Sequence, residues 1–172
     1  MTKRGLIYVW TGIGAGKTTS ALGVALREVG HGNKAIIVQF MKGLTNIGEF
    51  KIANKLSPNY EIYQFGTKHW VDLHHPSKKD IKHAEDGLKF AFKMLKKKPD
   101  LLVLDEINLA MAYKLLSTKK VLKLLKEVPA KTSVFLTGRF VPLEIMEIAD
   151  YVTEFMTIKR PKKIITRKGI EY

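Results

Sequence analysis

The sequence predicts an α/β fold, a mostly parallel central sheet with helices on both faces. Three observations carry that expectation. Short apolar runs alternate with segments of helical periodicity along the chain. A glycine-rich segment, TGIGAGKTT at 11–19, falls between the first apolar run and the first helical segment. The run LLVL at 101–104 ends in two adjacent carboxylates, Asp105 and Glu106. The 172 residues suit a single domain, 1–172. With 45% apolar and 27% charged residues the composition is that of an ordinary globular protein, which excludes wholesale disorder.

Each element has its own signal. GLIYVW, 5–10, is an apolar run between charged residues and a glycine-rich turn, as a buried parallel strand reads. Leu22, Ala25, Leu26 and Val29 set helical spacing over 17–29, and Gly30 and Gly32 stop that helix. KAIIVQF, 34–40, is a second buried strand. A helix near 47–56 leads to a third strand, EIYQF, 61–65. Residues 66–77 lack periodicity and form a lid-like loop. Ser77 is the expected N-cap of a long helix, 78–97, whose Ile81, Ala84, Leu88, Ala91, Phe92 and Leu95 trace one face. Lys82, Lys89, Lys93 and Lys96 trace a solvated face. DLLVLD, 100–105, is a central strand, followed by helices at 107–116 and 118–127 and a strand at 132–138. Pro142 opens a short helix, 142–149, and YVTEFMTI, 151–158, closes the sheet. The tail 159–172 carries six basic residues and one acidic. Ligands in such sheets bind beyond the carboxyl ends of the strands, where Thr11, Asp105 and Thr137 fall.

Charge and cysteine content narrow the function classes. Thirty Lys+Arg against sixteen Asp+Glu give +14, a surface that attracts polyanions without choosing among nucleic acid, nucleotide phosphates and acidic lipid. There is no cysteine, hence no disulfide and no thiolate metal site. No apolar run approaches the roughly 20 residues that span a bilayer. The opening MTKRGLIYVW reads as the lead into a strand rather than a signal peptide, so a cytoplasmic protein without a membrane partner is expected.

Two motifs carry chemistry. In TGIGAGKTT the glycines let backbone N–H groups curl around phosphate oxygens at a helix N-terminus, Lys17 adds a formal charge, and Thr18 offers a hydroxyl to Mg²⁺. The usual G-x-x-x-x-G-K-[ST] pattern has glycine where this chain has Thr11, and Gly12 and Gly14 are additional. In LLVLDE, four apolar residues deliver two carboxylates to a strand end facing that loop, where one can serve Mg²⁺. Together they indicate a P-loop nucleotide-binding protein with a RecA-like fold.

GLIYVWTGIGAGKTTSALGVALREVGHGNKAIIVQFMKG closely resembles the opening of the P-loop ATP:corrinoid adenosyltransferases, the cob(I)alamin adenosyltransferase family. The resemblance continues through LLVLDEINLAMAYKLL, VFLTGRFVP, IADYVTE and KGIEY, nearly the whole chain. It implies transfer of the 5′-deoxyadenosyl group of ATP to the cobalt of a reduced corrinoid, cobalamin or a precursor, with release of triphosphate. It also implies a nucleotide reversed relative to ordinary P-loop proteins, a homodimer, and room for a reductase that supplies Co(I). By the resemblance, Thr11, Gly12, Ile13, Gly14, Ala15, Gly16, Lys17, Thr18 and Thr19 bind ATP, joined by Arg27, Gln39, Lys42 and Arg139. Lys17, Thr18 and Glu106 are the catalytic set, with Thr18, Glu106 and Asp105 serving Mg²⁺. His69 and Trp70 are the corrinoid-facing candidates.

The match departs from the family in three places. The family's G-F-T-W before the long helix is here Gly66-Thr67-Lys68-His69-Trp70, one residue longer and without the phenylalanine. Only four residues precede the first strand, so closure of the site is expected to differ. The stretch before the terminal GIEY is shorter and strongly basic. His69, Asp72, His74 and His75 read as a polar lid rather than a metal site. The competing function is a RecA-like ATPase acting on nucleic acid, favoured by +14 but lacking the interleaved aromatic and basic residues that stack bases. A nucleoside kinase is a further rival, for which a zinc-bearing lid is absent in a cysteine-free chain.

Overall fold

The computed structural model describes residues 4–163 and 165–170. Met1–Lys3, Ile164, and the Glu171 and Tyr172 of the GIEY match lie outside the described residues. The elements run β1 (Ile7–Thr11), α1 (Lys17–Gly30), β2 (Ala35–Phe40), α2 (Gly48–Leu56), β3 (Tyr60–Phe65), α3 (Lys78–Leu95), β4 (Leu101–Asp105), α4 (Ile107–Ala112), α5 (Thr118–Lys126), β5 (Ser133–Thr137), α6 (Leu143–Ile148) and β6 (Tyr151–Glu154). The strands form one sheet in the order β3-β2-β4-β5-β1-β6, and every pair is parallel. This is the predicted α/β architecture.

Alternation along the strands decides what faces the site, because successive side chains point to opposite faces of a sheet. Ile36, Val38 and Phe40 of β2, with Leu102 and Leu104 of β4, join the core layer that includes α3, α4, α5 and α6. Ala35 and Ile37, with Leu101 and Val103 of β4 and Phe135 of β5, join the layer under α1. Continuing the second series puts Gln39, Asp105 and Thr137 on the α1 face, at the carboxyl edge of the sheet. That is where Lys17 and Thr18 begin α1.

The elements close to this edge have clear local causes. α1 buries Ala21 and Ala25, a narrower seam than the predicted face, and Leu26 is exposed. These small side chains bring the helix close to the sheet. Ser77 caps α3 as expected, accepting from the Asp80 N–H at 3.1 Å while Asp80 Oδ2 accepts from the Ser77 N–H at 3.1 Å. Gly87 lets α3 approach β2 and β3, since a Cβ there would lie 2.9 Å from the Phe40 ring and 3.0 Å from Phe65.

Three C-terminal ends fall two or more residues short of their predicted limits. α3 stops at Leu95 because the Lys97 and Lys98 amides turn back to Met94 O and Leu95 O. α4 stops at Ala112, where Leu115 and Leu116 both donate to Ala110 O. β6 stops at Glu154 because β1 ends at Thr11, and the chain then passes over the glycine-rich loop. Among the described residues no helix is long and apolar enough to cross a membrane.

Candidate active site

The glycine-rich loop is pressed against the segment that follows β6. The Phe155 N–H donates to Thr11 O at 2.9 Å, and the Gly14 N–H donates to Phe155 O at 2.8 Å. A Cβ on Gly12, whose φ is 94°, would lie 2.3 Å from Phe155 O, and one on Gly14 would lie 2.7 Å from the Phe155 carbonyl carbon. This contact accounts for the two additional glycines: they admit a neighbouring backbone. The Phe155 ring rests beside Gly16 and tilts against Trp10 at 5.7 Å.

Gly16 precedes α1 with φ 104°, and no side chain caps the first-turn amides of that helix. Such amides, with the helix dipole, form an anion-binding end. Lys17 is folded back into the loop, its Nζ donating to Gly12 O at 2.8 Å and Gly14 O at 2.6 Å. Burial lowers its pKa, opposed in part by the charges of Glu106 and Asp105. Ile13, Ala15 and Thr19 of the loop are exposed, while Thr11 and Thr18 are half-buried.

Across from Thr18 lies a saturated carboxylate. Asp105 is fully buried and accepts at Oδ1 from Thr18 Oγ1 (2.8 Å) and Thr137 Oγ1 (2.6 Å), and at Oδ2 from Gln39 Nε2 (3.1 Å) and Lys42 Nζ (2.7 Å). Burial alone would raise its pKa, but the Lys42 charge and these hydrogen bonds outweigh burial and hold it below the ordinary value. Lys42 also reaches Thr18 Oγ1 at 3.3 Å. Burial works to lower the Lys42 pKa, and its pairing with Asp105 overcomes that and raises it.

Glu106 behaves differently. It stands in the left-handed region, φ 64° and ψ 16°, between β4 and α4, which turns it off the strand direction. Its N–H donates to Thr137 Oγ1 at 3.0 Å. Its Oε2 is buried with no hydrogen-bond partner, one of three such side-chain atoms among the described residues. Burial, then the Asp105 charge, raises its pKa, and Lys42, Lys17 and Arg139 work the other way. Two neighbouring carboxylates thus have opposite environments, one fully bonded and one open.

The remaining predicted residues divide. Arg139 follows Gly138 at the end of β5, is exposed, and lies close enough for its charge to act on both Lys17 and Glu106. Arg27 is not brought to the loop. It is exposed in the last turn of α1, about 15 Å along the axis from Lys17 at a rise of 1.5 Å per residue. Gln39 is fully buried and bonds Asp105, so within this chain it supports the carboxylate instead of facing open space.

In the loop 66–77, Val71 and Leu73 pack against the core while Trp70 is 99% exposed and His69 is exposed. Trp70 is thus no packing anchor. Asp72 Oδ1 accepts from the His74 and His75 amides at 3.0 and 3.2 Å, and the His74 ring meets Tyr113 edge-on at 5.7 Å. No group of three or more His, Cys, Asp or Glu able to hold a metal occurs among the described residues. A groove of about 680 Å³ lined by Ile81, Met111, Leu115, Phe140 and Pro142 contains none of the glycine-rich loop.

Two contributors were absent from the sequence reading, Phe155 and Gln64. Gln64 Nε2 donates to Gln39 Oε1 at 3.0 Å and to Leu44 O at 3.1 Å. Pairing β2 with β3 in register would have exposed Gln64, since Gln39 stands opposite both Gln64 and Asp105.

Comparison with known proteins shows the family. The family described as ATP:corrinoid adenosyltransferase BtuR/CobO/CobP matches residues 3–172. A corrinoid adenosyltransferase of Escherichia coli K12 is 35% identical over 173 residues, covering 99% of this chain and 87% of that protein. The corrinoid adenosyltransferase CobA of Salmonella typhimurium LT2 is 33% identical over 174 residues, covering 99% and 87%. A corrinoid adenosyltransferase of a Sinorhizobium species is 33% identical over 175 residues, covering 99% and 81%. With a match over residues 3–172 and relatives aligned along almost its full length, this chain belongs to the ATP:corrinoid adenosyltransferase family.

Proposed function

We propose that the carboxyl edge of the sheet binds ATP with its triphosphate on the loop 11–19, and that a Co(I) corrinoid attacks C5′ from the side of Trp70. A cobalt–carbon bond forms, the C5′–oxygen bond breaks, and its electron pair leaves with the triphosphate. Co(I) is itself a strong nucleophile, so the reaction needs no side-chain base. The protein's tasks are placement of the two substrates, stabilisation of the leaving anion and exclusion of water. The observation that carries this reading is the convergence of Lys17, Thr18 and Glu106 at one strand edge, with Asp105 already saturated behind them.

Lys17 turns from the loop carbonyls to the phosphates, exchanging two neutral acceptors for an anion. The α1 amides hold phosphate oxygens, and Arg139 adds charge at the mouth. The donor set fits Mg²⁺: Glu106 offers an unpartnered buried oxygen and Thr18 a hydroxyl, whereas both Asp105 oxygens are taken. Glu106 and Thr18 would hold the ion directly, with Asp105 orienting Thr18. Bound there, Mg²⁺ supplies positive charge to the leaving triphosphate. The exposed Trp70 covers an apolar ring face, with His69 beside it. The same reading includes a cytoplasmic homodimer served by a separate reductase.

Incubation with ATP, Mg²⁺ and chemically reduced cobalamin tests this. Inorganic triphosphate and a light-sensitive cobalt–carbon product are expected in equal amounts. ADP formed without corrinoid, and faster with nucleic acid, would replace the reading by a nucleic-acid-dependent ATPase.

A further inference from the structure

We infer that Gln64 is a positioning residue for the nucleotide site, acting through Gln39 and through the loop that carries Lys42. The inference rests on the proposed function and names a component of the same site.

Gln64, Gln39 and Asp105 stand side by side in one row across β3, β2 and β4. Residues directly opposite in a sheet share a face, so all three side chains lie on the α1 side. Their hydrogen bonds run in one direction. Gln64 Nε2 donates to Gln39 Oε1 at 3.0 Å, and Gln39 Nε2 donates to Asp105 Oδ2 at 3.1 Å. A primary amide has one acceptor end and one donor end. The donor from Gln64 therefore selects the Gln39 orientation that presents N–H₂ to the carboxylate. The flipped orientation would place Gln39 Oε1 against a buried anion.

Gln64 has a second task. Its amide also donates to Leu44 O at 3.1 Å, tying down the chain just beyond Lys42. Lys42 Nζ bonds the same Asp105 oxygen that Gln39 bonds. Gln64 thus governs both partners of Asp105 Oδ2 without approaching substrate. Gln39 is fully buried, so no water replaces a lost partner easily.

Near-isosteric variants separate this role from packing. Gln64→Glu replaces the donor by a carboxylate facing Gln39 Oε1 and Leu44 O, both acceptors. Gln64→Met removes the donor without adding charge. Mg-ATP and cobalamin dissociation constants are measured separately, by titration without turnover, beside melting temperatures and the KM values for both substrates. The expected result is ATP binding weakened about tenfold or more in Gln64→Glu and severalfold in Gln64→Met. Cobalamin binding stays within twofold and melting within a few degrees. ATP binding within twofold of wild type in Gln64→Glu overturns the inference. Equal losses of ATP binding, cobalamin binding and melting temperature also overturn it, because they mark a general packing role. Lys17→Ala is titrated alongside. If it binds ATP normally, the nucleotide site itself is misplaced and the inference falls with it. If it loses ATP while Gln64→Glu does not, Gln64 alone is rejected and the site stands.

Discussion

Lys42 Nζ lies 2.7 Å from Asp105 Oδ2, so an ammonium from the chain after β2 neutralises the fully buried carboxylate that ends β4. Removing one partner of such a pair leaves an uncompensated buried charge and costs about 3–5 kcal/mol. Lys42→Met should therefore melt well below wild type at neutral pH, by about 10 °C for a chain of this size. The sign of the pH dependence follows from the shifts. Asp105 is held below its ordinary 3.8. Its stabilising contribution is complete above that value and is lost as pH falls through the folded one. Lys42 is held above its ordinary 10.5, so its contribution is complete below that and is lost as pH rises through the folded value. In Lys42→Met, burial acts on Asp105 without its main opponent. The gap between variant and wild type should narrow on acidification towards pH 4. Thermal melts at several pH values check this, and a gap that widens on acidification would contradict it.

Glu106 presents the opposite case. Its pKa is raised above the ordinary 4.5, so ionising it costs folding stability, and that cost grows as pH rises through the folded value. Glu106→Gln should melt a few degrees above wild type at pH 7 without ligand and match it near pH 4. The same variant should bind Mg-ATP more weakly, with a defect that shrinks as Mg²⁺ is raised. A lower melting point at pH 7, together with ATP binding indifferent to Mg²⁺, would remove Glu106 from the metal.

Trp70 is 99% exposed, so Trp70→Ala should change stability by no more than about 0.5 kcal/mol. An indole laid on an apolar ring face contributes roughly 1–3 kcal/mol. Corrinoid binding should weaken about tenfold while ATP binding stays unchanged. Separate titrations decide it, and unchanged corrinoid affinity would return the indole to ordinary surface.

The two arginines should separate cleanly. Arg139 acts electrostatically on Lys17 and Glu106, and Arg139→Ala should weaken ATP binding about tenfold at low salt. Arg27, at the far end of α1, should be replaceable by alanine with less than a twofold effect on ATP affinity. Salt titration of both variants provides the measurement, and the reverse ranking would place the triphosphate elsewhere.

The legible parts of the site were those whose chemistry is local in sequence. TGIGAGKTT and LLVLDE each combine an element boundary with the side chains that a phosphate or a cation requires. Arg27 lies in the last turn of α1, where a rise of about 1.5 Å per residue carries it away from the loop, a distance that position in the sequence does not display. Ile81 lies on the apolar face that periodicity traces along α3, yet it is 37% exposed beside a groove, since the packing of that helix depends on neighbours that periodicity does not name. Gln64 and Phe155 were invisible for a related reason. Each acts through strand order and register, and the order β3-β2-β4-β5-β1-β6 has no local signature.

The hold of Phe155 on the glycine-rich loop bears on synthesis of the protein. The loop lies between β1 and α1, yet its Gly14 amide donates to the segment that follows β6. The start of β1 is likewise tied to Asp150, 143 residues away, through the Ile7 N–H. A ribosome-bound chain that has not yet released β6 would carry the whole glycine-rich segment without the frame that shapes it. Any ligand that requires the framed loop would then favour the finished fold over the nascent chain.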